Sequence, residues 1–197
     1  MDELCVLGVD LAGVPHRPTG MCVLRGLEAR TFLSYTDDEI ITVTLEEKPA
    51  LVAIDAPLAL PPGRKSIEER SGSHFRPSDL ELRRRKIPFF PITLGPMRSL
   101  TVRGMRLRDV LQGEGFRCVE IYPGGAQDLW EIPRVKRDMN GLRSGLQERG
   151  LKGLKPDISD HELDAATGAL VGRLSLQNRA EVYGRFESGA IIMPVPD

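Results

Sequence analysis

Short apolar runs, several of them closed by an acid, set the organisation of this chain. Residues 5–11 (CVLGVDL) form a compact run between Gly and Pro, the pattern of a buried central strand, with Asp10 near its C-terminal end. Residues 21–24 and 30–34 bracket Arg25-Gly26-Leu27-Glu28, which predicts a hairpin and, with the first strand, a three-strand meander. Thr36 before Asp37, Asp38 and Glu39 has the form of an N-cap with acids in the first turn, opening a helix that runs to about Lys48. Residues 51–54 (LVAI) then repeat the first design, an apolar run that stops at Asp55 before Ala56-Pro57.

Beyond Asp55 the periodicity weakens. Residues 61–96 are rich in Pro, Gly and basic side chains, with one short helix predicted over 78–86, and read as an insertion over the sheet edge with too few apolar residues for a core. Leu100, Val102, Leu107, Val110 and Leu111 mark a helix over 97–111 that Gly113-Glu114-Gly115 ends. Residues 116–122 (FRCVEIY) alternate as a strand that carries Glu120. Helices are expected over 126–130 and 135–150, and Ser159 caps a helix over 160–174 with Leu163, Ala166, Leu170 and Leu174 on one face. Residues 190–195 (AIIMPV) read as a short closing strand, and no repeat or linker divides residues 1–197, so one domain is expected.

Composition narrows the class. A 28% charged fraction beside 41% apolar residues argues for a folded globular chain rather than a disordered one. No apolar run is long enough to span a bilayer and Met1-Asp2-Glu3-Leu4 lacks a basic leader, so no membrane partner and a cytoplasmic location are expected. Cys5, Cys22 and Cys118 lie in strand-like stretches without paired spacing and read as buried reduced thiols. The net charge of −1 hides an asymmetry: residues 62–108 hold 12 Lys or Arg against 4 Asp or Glu, which leaves the rest at −9. That excess suggests an anionic partner such as nucleic acid, or else a solvated helical face. Aromatic residues are 5%, too few for an obvious platform on which single strands would stack.

The acids carry the chemistry. A buried carboxylate needs a cation, hydrogen bonds or a water-filled cleft, and in open α/β sheets that cleft lies beyond the carboxyl ends of the strands. Asp10 and Asp55 on adjacent parallel strands would repel unless a cation neutralised them, and hard oxygen ligands suit Mg²⁺ or Mn²⁺. Asp164 would provide a third ligand, with His161 three residues earlier on the same helical face. Duller readings stand beside these: Asp10 and Asp55 as caps, His161 and Asp160 as complements of a helix dipole, Glu120 facing solvent on an edge strand.

Three segments bring a family to mind: Gly8-Val9-Asp10-Leu11-Ala12-Gly13, Ala53-Ile54-Asp55-Ala56-Pro57 and His161-Glu162-Leu163-Asp164-Ala165-Ala166. With Arg83-Arg84-Arg85-Lys86, Arg103-Gly104, Glu120-Ile121-Tyr122-Pro123 and the closing Gly189-Ala190-Ile191-Ile192-Met193-Pro194, the chain resembles the ribonuclease H-like superfamily. More narrowly, it resembles the domain-of-unknown-function family 429, described as predicted nucleases, and its last helix is similar to that of RuvC-type resolvases. The resemblance implies an α/β fold with a mixed five-stranded sheet, a three-strand antiparallel meander plus two parallel strands, flanked by helices; the basic insertion after Asp55 is a departure from the minimal nuclease core. It implies a divalent-metal-dependent nuclease with Asp10, Asp55 and Asp164 as ligands and Asp10 bridging two ions; it does not fix Glu120, which could support the ligands or be a fourth one, and in such an enzyme His161 or Glu120 would assist proton transfer or metal release. Arg83, Arg84, Lys86 and Arg103 would hold the DNA or RNA backbone. A homodimer is left open. Two other classes compete, a phosphotransferase of the actin-like sugar kinase type and a non-catalytic nucleic-acid binder on the same scaffold. Against the first, Leu11-Ala12-Gly13-Val14-Pro15 intervenes where a phosphate loop would follow Asp10 directly.

Overall fold

A computed structural model describes residues 4–69 and 72–196; Met1-Asp2-Glu3, read above for a leader, and Arg70 of the basic segment lie outside the described residues. The strands are β1 (Cys5–Asp10), β2 (Thr19–Arg25), β3 (Glu28–Ser34), β4 (Leu51–Asp55), β5 (Cys118–Ile121), β6 (Ala180–Tyr183) and β7 (Ile191–Pro194). They form one sheet in the order β3-β2-β1-β4-β5-β7-β6. The first three make the expected antiparallel meander, and β4 lies parallel to β1. Then β5 runs parallel to β4, β7 parallel to β5, and β6 closes the edge antiparallel to β7. The sheet thus has seven strands, not five. The residues read as a closing strand supply β7, while β6 has no apolar run to announce it and is held by its ladder to β7.

The helices are α1 (Asp37–Glu47), α2 (Pro77–Arg84), α3 (Met97–Gly113), α4 (Pro123–Leu129), α5 (Met139–Glu148) and α6 (Asp160–Leu176). Thr36 caps α1 and Ser159 caps α6, each accepting from the third helical N–H while that residue's Glu returns to the cap backbone. Among the described residues no helix is long and apolar enough to cross a membrane.

Strand parity decides what each side chain meets. Cys5, Leu7 and Val9 of β1, with Val52 and Ile54 of β4, join the core under Ile40 of α1 and Leu107 and Leu111 of α3. Val6 of β1 and Ala53 of β4 face the other way, into the core made with Leu163, Ala166 and Leu170 of α6. The helix α6 is buried almost all round, with Ala165 and Thr167 to Val171 covered as fully as the stripe foreseen, because it sits between the sheet and α4 and α5. The insertion is better packed than its composition suggests. Leu82 and Ile87 join Tyr183, Ile191 and Met193 in a small core of their own, which seats α2 against the β6–β7 edge.

Candidate functional site

Asp10 and Asp55 are direct partners in the β1–β4 register. Paired residues of adjacent parallel strands point to the same side, and the parity that sends Val6 and Ala53 toward α6 sends both aspartates there as well. Two glycines let α6 come close enough to meet them. A Cβ on Gly8 would strike the carbonyl of Ala165, and one on Gly20, the β2 partner of Asp10, would strike the carbonyl of His161. Backbone therefore lies on backbone at this end of the sheet, and the first turns of α6 present His161 and Asp164 to the strand ends.

The resulting contacts are short. His161 Nδ1 and Asp10 Oδ2 are 2.6 Å apart, and this bond, ahead of opposing desolvation, holds the His161 pKa above its usual value. Asp164 Oδ1 accepts from Gln127 Nε2 at 2.7 Å; burial, with Asp10 nearby, pushes the Asp164 carboxyl up to about 7. Asp55 is half-buried as a residue, but desolvation and then the charges of Asp10, Asp164 and Glu120 hold its carboxyl well above the usual range, and protonated it bonds to Asp10. Burial and neighbouring charge thus disfavour ionisation of both Asp55 and Asp164, an electrostatic condition that a divalent cation relieves.

Their donor chemistry, hard carboxylate oxygens at the strand ends, fits Mg²⁺ or Mn²⁺. Yet among the described residues no group of three or more His, Cys, Asp or Glu side chains stands converged on one point for a metal. Asp10 is bonded to His161 and Asp164 to Gln127. The backbones bring the acids together, and side-chain rotation would have to complete a coordination shell.

Glu120 belongs to a different arrangement. Its register partner is Ile54, so it faces the side opposite Asp55. There its carboxylate accepts from Arg76 Nη1 and Nη2 at 2.6 and 2.7 Å and from the Leu58 N–H at 2.8 Å. Asp79 holds the same guanidinium at 2.9 Å. Burial holds the Glu120 carboxyl above its usual range, against the opposing pull of the Arg76 guanidinium and the Leu58 N–H. Glu120 is neither solvent-facing nor on an edge strand, since β5 lies between β4 and β7.

The basic residues divide in the same way. Arg103 is 7% exposed, donating from Nε to Asp37 at 2.8 Å and from Nη1 to the Ala12 carbonyl at 2.6 Å, while the Thr19 hydroxyl accepts from the Ala12 N–H. It clamps the loop after Asp10, and its buried Nη2 has no partner among the described residues. The exposed Arg84 is held by Glu81, Arg83 lies over the Phe75 ring at 5.0 Å, and Lys86 is exposed with a left-handed backbone just past α2. Gln127 and Thr19 escaped the sequence reading, because a buried amide or hydroxyl has no signal until its partner is known. Of the thiols, Cys5 and Cys22 are buried and Cys118 is half-buried; all three are free.

Residues 8–187 match the family described as protein of unknown function, DUF429, a span that includes every aspartate of the site. The chain belongs to this family. No curated protein and no solved structure was found to match it. In this DUF429 chain a cleft of about 700 Å³ between Trp130, Arg149, Arg173 and Leu174 contains none of the aspartates; a smaller one of about 190 Å³ is lined in part by Asp55.

Proposed function

We propose that this chain is a divalent-metal-dependent nuclease, hydrolysing phosphodiester bonds of DNA or RNA on a ribonuclease H-like scaffold. The observation that carries the reading is the in-register pairing of Asp10 with Asp55 on one face, beneath Asp164 of α6. A meander followed by a parallel strand, with acids on the first and fourth strands and in the last helix, is the plan that the resemblance to such nucleases supplies. An arrangement of this kind is costly for a protein that only binds phosphates, because a cluster of negative charge repels that ligand.

Asp10, Asp55 and Asp164 would hold the cation. When bound, Mg²⁺ or Mn²⁺ supplies the acidity that makes water a nucleophile and the positive charge that a phosphate requires as its leaving oxygen departs. His161 fixes the Asp10 carboxylate through Nδ1 and can exchange a proton at Nε2; Gln127 fixes Asp164. Glu120 acts through Arg76, holding the insertion against the strand ends. Arg83, Arg84 and Lys86 are the exposed cations that could follow a polynucleotide backbone, with a salt-dependent contribution to affinity. Against a phosphate-loop reading, both polar backbone atoms of Ala12 are already engaged by Thr19 and Arg103.

The test is cleavage by purified protein in Mg²⁺ or Mn²⁺ across single-stranded, duplex, hybrid and branched substrates. Wild type should cut at least one class, and Asp10→Asn should lose at least about a hundredfold of that rate while keeping its far-ultraviolet dichroism. Equal cleavage by the variant would remove Asp10 from the chemistry.

A further inference from the structure

The cleft that Asp55 lines reaches into the insertion, and its walls differ in kind from the acidic site beside it. Leu82, Phe89, Ile92, Met97, Leu100 and Tyr122 enclose about 190 Å³ of largely apolar space. Half of the ten aromatic residues, Phe75, Phe89, Phe90, Tyr122 and Tyr183, belong to this region, a concentration that the 5% average conceals. The rings are held in place. Tyr122 donates its hydroxyl to the Pro88 carbonyl at 2.6 Å and lies under the Arg134 guanidinium, while Phe75 packs edge-on to Phe89 at 6.1 Å with Arg83 over its other side. Phe90 also lines the cleft and is 79% exposed, an apolar side chain at its rim. Arg76, Asp79 and Glu120 line the same space and give it polar atoms of both signs.

We infer that this cleft receives one unpaired nucleobase of the strand whose phosphate lies at Asp55, so that the substrate is single-stranded or has a base turned out beside the scissile bond. The inference rests on the nuclease reading. Three features choose the occupant. Asp55 lines both sites, so a group in the cleft adjoins the place where the proposed reaction would hold a phosphate. A cleft walled mainly by aromatic and aliphatic side chains, with the polar residues Arg76, Asp79 and Glu120 also in its lining, matches a flat heterocycle. The volume lies below the usual range for whole nucleotide or cofactor sites, roughly 300–1,000 Å³, and leaves room for one ring system and no paired partner. Arg83 and Arg134 beside the rings place positive charge where the flanking backbone would pass.

The experiment is fluorescence anisotropy in EDTA with short single-stranded DNA and RNA oligonucleotides in which an abasic site is moved through each position. Wild type should lose about tenfold or more in affinity at one position and little elsewhere. Met97→Trp, which fills the cleft, should bind with no position dependence. If Met97→Trp does not fold, Phe90→Trp decides: its indole emission should be quenched by the intact oligonucleotide and not by the one abasic at that position, and equal quenching by both overturns the proposal. A flat profile from wild-type protein that binds or cleaves these strands overturns the base pocket and leaves the nuclease reading standing. Protein that neither binds nor cleaves any polynucleotide overturns both.

Discussion

At Asp164 burial and the charge of Asp10 act in the same direction, and only the Gln127 amide and His161 oppose them. A carboxyl raised from its ordinary 3.8 to about 7 in the folded chain is deprotonated more readily once the chain unfolds. Between those two values the unfolded state binds fewer protons, so this group's contribution to stability falls as pH rises through that window. In EDTA, Asp164→Asn should therefore be more stable than wild type at roughly pH 8, by an amount on the order of a few kcal/mol, and the gap should close toward roughly pH 4. Added Mn²⁺ should raise the wild-type melting temperature and leave the variant unmoved. Thermal denaturation followed by dichroism reads all three; a variant less stable than wild type at every pH would show that the carboxylate is not under electrostatic strain. His161 has the opposite sign of effect. Its raised pKa stabilises the fold below its ordinary value of 6.5 and that contribution is lost as pH rises through the folded value.

At the level of elements the site depends on how closely α6 lies on β1 and β2. Gly20→Ala places a methyl against the His161 carbonyl, where neither backbone can give way easily. It should destabilise the protein by roughly 1–3 kcal/mol in urea denaturation and reduce metal binding together with stability; an unchanged midpoint would mean that the close approach is unnecessary. Legibility from sequence also divides at this level. The acids at the ends of β1 and β4 could be found because an apolar run that stops at a carboxylate is anomalous in one dimension. The helices from Thr36 and Ser159 could be found because a capping box is local. Register is not local: that Asp55 pairs with Asp10 while Glu120 pairs with Ile54 decides which acids share a face, and no spacing in the chain states it. The edge strand β6 escaped for a related reason, since Glu181 and Val182 are stabilised by the ladder to β7 more than by their own pattern. Gln127 and Arg76 could not be assigned partners that lie 37 and 44 residues away.

For the whole molecule, one sheet joins two unlike regions at its strand ends: an acidic face under α6 and a basic, aromatic insertion anchored by Arg76, Asp79 and Glu120. The ion cluster matters as an anchor because it is buried; removing one partner leaves an uncompensated charge, whereas exposed pairs such as Arg84–Glu81 contribute little. The charge asymmetry seen in the sequence thus has a spatial counterpart, with the carboxyl groups under α6 and the exposed cations Arg83, Arg84 and Lys86 on the insertion. The central claim is that carboxylates 154 residues apart in the chain hold one class of ion, and it is tested most directly by calorimetric titration of Mn²⁺ into wild type, Asp10→Asn and Asp164→Asn. Saturable binding by wild type that weakens at least about tenfold in each variant is the predicted result. Binding of equal affinity in all three proteins, or none in the wild type, would contradict it.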